Sequence, residues 1–222
     1  MYQRYGVYYT PDGALAARGA AWLGWDVARG RAVEHPVIEG LDIAEITATP
    51  RKYGFHGTIK PPFFLAPGKD FAGLQIELAQ LCARLAPVQL EGLALKELAG
   101  FLALVPRGDQ TALAGFAAQV VTKLDAFRAP PSEAEIARRR KTQLSAAQEQ
   151  HLENWGYPYV MDEFRFHITL SGQLSDTAAT MAQIAPYFEP VLPQPFDLWS
   201  LILVGQTREG MFHEIQRYPL TG

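Results

Sequence analysis

Two short strings carry residue types that could do chemistry: Phe55-His56-Gly57-Thr58 and Phe166-His167-Ile168-Thr169. In an extended strand, residues i and i+2 project from one face, so each string sets an imidazole beside a hydroxyl. Imidazole is the side chain that gives or takes a proton near neutrality. Two of them on opposite sides of a tetrahedral centre divide the labour. A neutral one removes a proton from the nucleophile, and a charged one protonates the leaving oxygen. Threonine hydroxyls donate to non-bridging phosphoryl oxygens and do not compete as bases. An acid, a base and two donors are what cleavage of a cyclic phosphate or phosphodiester needs, and no metal or cofactor enters the scheme. A single His-x-Thr carries no such signal. Two, each preceded by Phe and each in β-type sequence, do. Which histidine is base stays open.

Groups that could hold an anion flank both strings. By strand alternation Lys60 continues the His56 face, Arg165 shares the face of His167, and Arg51 and Lys52 precede the first string. Tyr157 and Tyr159 could wall a sugar or a base, and Ser171 continues the cleft face of the second strand. Tyr53 faces away from that cleft if its strand is regular, unless a loop turns it inward. His35, before Pro36 in an irregular stretch, His151, near a helix C-terminus, and His213, with no Thr two places on, are given no catalytic role. No HExxH or His-x-His spacing supports a metal site. Cys82 falls on the apolar face of a helix and reads as a small core residue.

These residues need elements to position them. Stretches 2–9, 53–65, 88–95, 101–105 and 164–170 are β-type, and 196–204 with 211–218 read as a final hairpin. Helical patterns cover 14–23, 111–127 and 176–188, and another opens at Asp70 and closes at Pro87. Ser132 and Glu135 form a capping box that opens one helix to about residue 154, carrying the basic run Arg138-Arg139-Arg140-Lys141. The order strand, helix, strand, strand runs from 53 to 105 and again from 164 to 218, with a helical insert at 109–155 between. His56 and His167 are 111 positions apart, and the same offset carries Leu90 and Leu102 into the later strands. The expected fold is α+β: a single bilobal domain over 1–222 with a pseudo-two-fold axis. Two antiparallel sheets line a central cleft, with the helices outside. Phe55, Gly57 and Ile59, like Phe166, Ile168 and Leu170, should point to those helices, leaving the polar pairs to converge on the cleft.

Bulk composition narrows the partners. The 222 residues carry 20 Lys and Arg against 23 Asp and Glu, a formal net charge of -3. That excludes a polycationic nucleic-acid coat and favours a compact substrate over a long RNA. No apolar run reaches the roughly 18–20 residues of a membrane span. The opening MYQRYGVYYTPDG lacks a signal-peptide core, and one cysteine permits no internal disulfide. A cytoplasmic, monomeric protein is expected.

The paired His-x-Thr strings resemble those of the 2H phosphoesterase superfamily, which includes LigT-like RNA 2′,3′-cyclic phosphodiesterases, plant cyclic-nucleotide phosphodiesterases and an RNA 3′-end nuclease. RKYGFHGTIKPPF, WGYPYVMDEFRFHITLSG and the opening RYGVYYTP resemble more closely a bacterial branch encoded beside phosphonate-utilisation genes. The resemblance implies a bilobal fold, His56 and His167 as the acid/base pair, and Thr58 and Thr169 as phosphate ligands. The substrate expected is a small phosphorylated molecule, such as a nucleotide or a cyclic ribose phosphate, in phosphonate metabolism. Opening of RNA cyclic ends or 3′-end trimming, guided by Arg138–Lys141, is the alternative within the same chemistry. A non-catalytic nucleotide- or phosphate-binding module is the alternative outside it.

Overall fold

The computed structural model describes residues 2–222. The chain runs β1 (Tyr5–Tyr9), α1 (Gly13–Leu23), a small hairpin of β2 (Trp25–Asp26) and β3 (Arg31–Ala32), then the single turns α2 (Ile43–Ile46) and α3 (Ala48–Arg51). Next come β4 (Gly57–Phe63), α4 (Phe71–Cys82), β5 (Val88–Leu90), β6 (Gly92–Leu98), β7 (Phe101–Arg107) and α5 (Thr111–Lys123). After α6 (Glu133–Arg139) and α7 (Ala146–Trp155) follow β8 (Ile168–Thr169), α8 (Thr177–Phe188), β9 (Phe196–Leu198), β10 (Ser200–Gln206) and β11 (Phe212–Pro219). No helix of the described residues is long and apolar enough to cross a membrane.

The architecture is α+β with antiparallel strands. One half-sheet reads β11-β10-β1-β4 and the other β8-β7-β6, and β4 pairs with β8 to join them edge to edge into seven strands. Each half therefore combines the leading strand of one repeat with the hairpin of the other. The pair at the join is Gly57 with Ile168, two residues 111 positions apart. The repeat offset is thus visible as a cross-strand contact, because residues related by a local two-fold meet at its axis. β5 and β9, again one from each repeat, pair on the same principle.

Alternation decides the two faces. Val7, Tyr9, Ile59, Leu104, Ile168, Leu170, Leu201 and Leu203 bury their side chains in one core with Leu74 and Leu78 of α4, Phe116 and Val120 of α5, and Ile184 and Phe188 of α8. Phe55 and Phe166 lie in the same core, as their alternation with the polar pairs predicts. Each such side chain contributes about 1.5–3 kcal/mol on burial, so the apolar half of each His-x-Thr strand anchors it. The polar half is then free to face the opposite side. There a second, smaller cluster forms from Tyr8, Val27, Ile202, Val204 and Phe212.

Two expected elements divide. The helix read over 132–154 is two, because Ser145 with Gln148 makes a second capping box that starts α7 afresh. The strand read over 88–95 breaks between β5 and β6, where Gly92 sits at φ +155. Cys82 is 1% exposed in the core, as read.

Candidate active site

The register of β4 on β8 builds the site. With Gly57 opposite Ile168, one step either way sets Thr58 beside His167 and His56 beside Thr169. The four polar side chains thus occupy one square on the face away from the helices. The histidines take one diagonal, where residues lie about 7–8 Å apart and their Cβ atoms somewhat closer. The two pairs therefore converge as neighbours in a continuous sheet, not as opposed walls of two separate sheets.

Both rings are oriented alike. His56 Nδ1 lies 2.9 Å from the Gly54 carbonyl and His167 Nδ1 lies 2.8 Å from the Arg165 carbonyl. A carbonyl only accepts, so each Nδ1 carries the proton and each Nε2 keeps its lone pair. Gly54 turns its carbonyl to His56 from a left-handed conformation, φ +74, and a Cβ there would meet Val27 at 2.5 Å. The halves differ at Nε2. On His56 it accepts a 2.9 Å hydrogen bond from the Thr58 hydroxyl, whereas no such bond joins Thr169 to His167. They also differ in cover. The Tyr8 ring stacks on His56 with centroids 3.8 Å apart and planes at 24°, and Tyr53 approaches at 6.1 Å. His167 has only the tilted Phe101, at 5.8 Å. Burial lowers the His56 pKa to about 4, with the Gly54 hydrogen bond opposing and the His167 charge adding to the depression. His56 is therefore neutral at pH 7.

A cleft of about 630 Å³ opens beside the square, lined by His56, Thr169, Tyr53, Phe101, Thr49 and Gln173 among others. Its outer wall, α2 and α3, is held by the Arg51 guanidinium, which donates to the carbonyls of Leu23 and Ala44 and to Thr47. The Gly172 N–H ties the β8 exit to that wall through the Ile46 carbonyl at 2.7 Å.

Several expected anion ligands are engaged elsewhere. Lys60 does not reach the cleft. A bulge sets Ile59 and Lys60 together against Val7, which breaks the alternation and turns the lysine onto α5. There its ammonium, 2% exposed, donates to the Val121 carbonyl at 3.0 Å and meets Asp125 at 3.3 Å. Burial lowers the Lys60 pKa to about 8, with Asp125 opposing. Asp125→Asn should therefore destabilise the fold by about 3 kcal/mol in urea unfolding at pH 7, since it strands a buried cation. Arg51 is a wall brace, whereas Ser171 lines the cleft on the expected face, its hydroxyl accepting from the Leu102 N–H and donating to the Gly172 carbonyl. Tyr157 packs edge-on against Tyr159, lies under Arg139 at 4.4 Å and borders a separate small hollow together with Lys60. Arg165 is exposed, but β8 begins only at Ile168. Alternation does not extend to it, and its guanidinium bends back to the Asp162 and Phe164 carbonyls. Lys52 is exposed, with its ammonium 5.0 Å over the ring of Tyr53, which lines the cleft.

The structure adds residues that the strings did not point to. Tyr8 reaches the site because β1 pairs it directly with Thr58. Its alternation with Val7 and Tyr9 signals which face it takes, but nothing in the sequence names its partner strand. Tyr53 turns inward: its loop is pinned to β11 by the Phe212 N–H on the Lys52 carbonyl, and its ring stacks on Phe212 at 5.2 Å. Phe101, at the start of β7, arrives through pairing with β8. Among the described residues, no group of three or more His, Cys, Asp or Glu is placed to hold a metal ion.

The chain matches a family model described as a protein of unknown function (DUF1045) over residues 58–213. It is 34% identical, over 99% of its length, to a ribose 1,5-bisphosphate phosphokinase PhnN of Janthinobacterium sp. (strain Marseille), and 36% identical, over 90%, to a protein of the same name from Laribacter hongkongensis (strain HLHK9). The matches cover 51% and 48% of those proteins, so the chain spans about half their length. Among solved structures, E. coli LigT complexed with 3′-AMP aligns over 100% of both chains at 14% identity and TM-score 0.49. TT0787 of Thermus thermophilus aligns over 99% of this chain and 98% of its own at 14% identity and TM-score 0.48.

Proposed function

Because this chain belongs to the DUF1045 family of unknown function, its activity has to come from its own atoms, and we propose that it is a metal-independent phosphoesterase. Its substrate is a small cyclic phosphate or phosphodiester, cleaved by two-histidine acid/base catalysis. One observation carries the reading: two imidazoles with fixed Nδ1–H donors lie on the diagonal of a square whose other corners are hydroxyls.

In this mechanism His56 is the base, since it is the ring kept neutral with a lone pair at Nε2. Substrate draws the Thr58 hydroxyl from His56 to a phosphoryl oxygen, which frees that lone pair. Water then attacks phosphorus and loses one proton to His56 as the new P–O bond forms. The P–O bond to the leaving oxygen breaks as His167 gives that oxygen a proton. Thr169 donates to the charge gathering on the phosphoryl group. Exchange of the two protons with solvent restores the enzyme.

The relatives named ribose 1,5-bisphosphate phosphokinase make a phosphorylated ribose the first substrate class to try. Its cyclic phosphate, in phosphonate metabolism, is the specific form of the proposal. A small molecule is favoured over RNA because Arg140 of the basic run is paired with Glu149 and Glu153, and Arg139 lies on Tyr157. The test is a screen of cyclic and linear phosphodiesters with EDTA present, run beside His56→Ala. Turnover of a small cyclic phosphate that survives chelation and vanishes in the variant is expected. Loss of activity on chelation would require a metal route. Phosphate binding without any turnover would make the protein a binding module, and salt-sensitive cleavage of an oligonucleotide would restore the RNA reading.

A further inference from the structure

We propose that Tyr8 is a positioning residue for His56, its ring clamping the imidazole so that Nε2 stays aimed at the reacting phosphorus and the ring stays out of water. The proposal rests on the functional reading above only for the direction in which Nε2 must point. Its physical basis is local. Tyr8 is wholly buried, and its ring lies 3.8 Å from the imidazole centroid at 24°, a face-to-face contact that leaves His56 little freedom to rotate about its terminal torsion. Its backbone is locked opposite Thr58, so strand pairing holds clamp, base and donor in one register. Phe212 backs the clamp at 6.0 Å, and Ile202 and Val204 complete its apolar setting.

The asymmetry of the site gives the clamp a purpose. Tyr8 covers His56, and no comparably close aromatic ring covers His167, so two histidines in equivalent frames acquire different roles. Titratable and charged groups facing His56 are Tyr8 from β1, Tyr53 from the preceding loop with the Lys52 ammonium over its ring, His167 from β8, and Glu45 on the far cleft wall. No carboxylate contacts the ring to hold a proton on it, so removing the aromatic cover admits water and lets His56 charge at higher pH. The Tyr8 hydroxyl is buried and without a partner among the described residues. The clamp is therefore the ring, not the hydroxyl.

The experiment compares Tyr8→Phe with Tyr8→Leu and Tyr8→Met. NMR titration reads the His56 imidazole, and kcat and KM are measured on 2′,3′-cyclic AMP and bis(p-nitrophenyl) phosphate across pH. Phe should leave both readouts within about twofold of the parent and keep His56 titrating at about pH 4. Leu or Met should move the His56 titration upward by about one unit or more and lower kcat by about tenfold to a hundredfold, with KM little changed. An unshifted His56 in a folded Leu or Met variant would overturn the proposal. So would a Phe variant that loses activity or shifts His56, a result available even where Leu and Met fail to fold. The titration needs no turnover, so an inactive parent protein would sink the phosphoesterase reading while still judging the clamp.

Discussion

His56→Ala and His167→Ala should each lower kcat on a small cyclic phosphate by about 10²–10⁴-fold, the range a positioned acid or base contributes. Their circular dichroism spectra should match the parent, since both rings stand on the face away from the main core. The double variant should be little worse than either single one, because each group is useless without its partner. The pH dependence separates this scheme from a generic histidine effect. His56 is held at about 4, so kcat/KM should fall on acidification only as pH drops through about 4, not near 6.5. Stability carries the same signature. The folded-state value lies below the unfolded one, so the unfolded chain binds more protons between the two. The contribution is present above about pH 6.5 and is lost as pH falls through about 4, about 3 kcal/mol at most. His56→Ala should flatten that part of the stability profile, as urea unfolding at pH 7 and pH 4 would measure. Parent-like turnover in either single variant would remove the two-histidine scheme.

Gly57→Ala is the second large effect, and it needs no change in any catalytic atom. A Cβ on Gly57 would fall 2.2 Å from Cζ and 2.4 Å from Cε2 of Phe166. That ring cannot yield cheaply, being 2% exposed and packed against Tyr9 and Phe196. Overpacking of this kind costs about 1–3 kcal/mol. The ring it displaces immediately precedes His167, so the imidazole moves with it, and a misplacement of about 1 Å costs about a hundredfold in rate. A lowered urea midpoint together with a hundredfold drop in kcat is expected. Phe166→Leu in the same chain should restore room, so the double variant should recover stability relative to the sum of the singles. Strict additivity would show that the Phe166 ring is not what Gly57 accommodates.

Much of this was legible in the residues, and the failures have causes. The apolar halves of both strings went to the core as alternation required, and Asp70 and Asp176 cap the helices that begin beside them. Lys60 failed because a single inserted residue in β4 reverses alternation beyond Thr58, and no local pattern announces a bulge whose cause lies in β1. Arg165 is not placed by alternation, because its strand is only two residues long. Arg51 and Ser171 are occupied for a third reason: both satisfy backbone groups of distant segments, although Ser171 does line the cleft as alternation predicts. Tyr8 is not legible in the sequence, because an aromatic residue in a first strand looks like core until its neighbour is known.

The chain's own letters determined which residues could do proton chemistry, which faces of which strands had to be buried, and that two copies of one element order exist. Those properties are set by side-chain type and by the two- and 3.6-residue periods, both local. Tertiary structure alone decided that β4 and β8 are neighbours, that Gly57 meets Ile168, and that one histidine lies under a tyrosine while the other does not. Each of these depends on the pairing of strands far apart in the chain, so the site's geometry and the unequal cover of its two histidines belong to the fold.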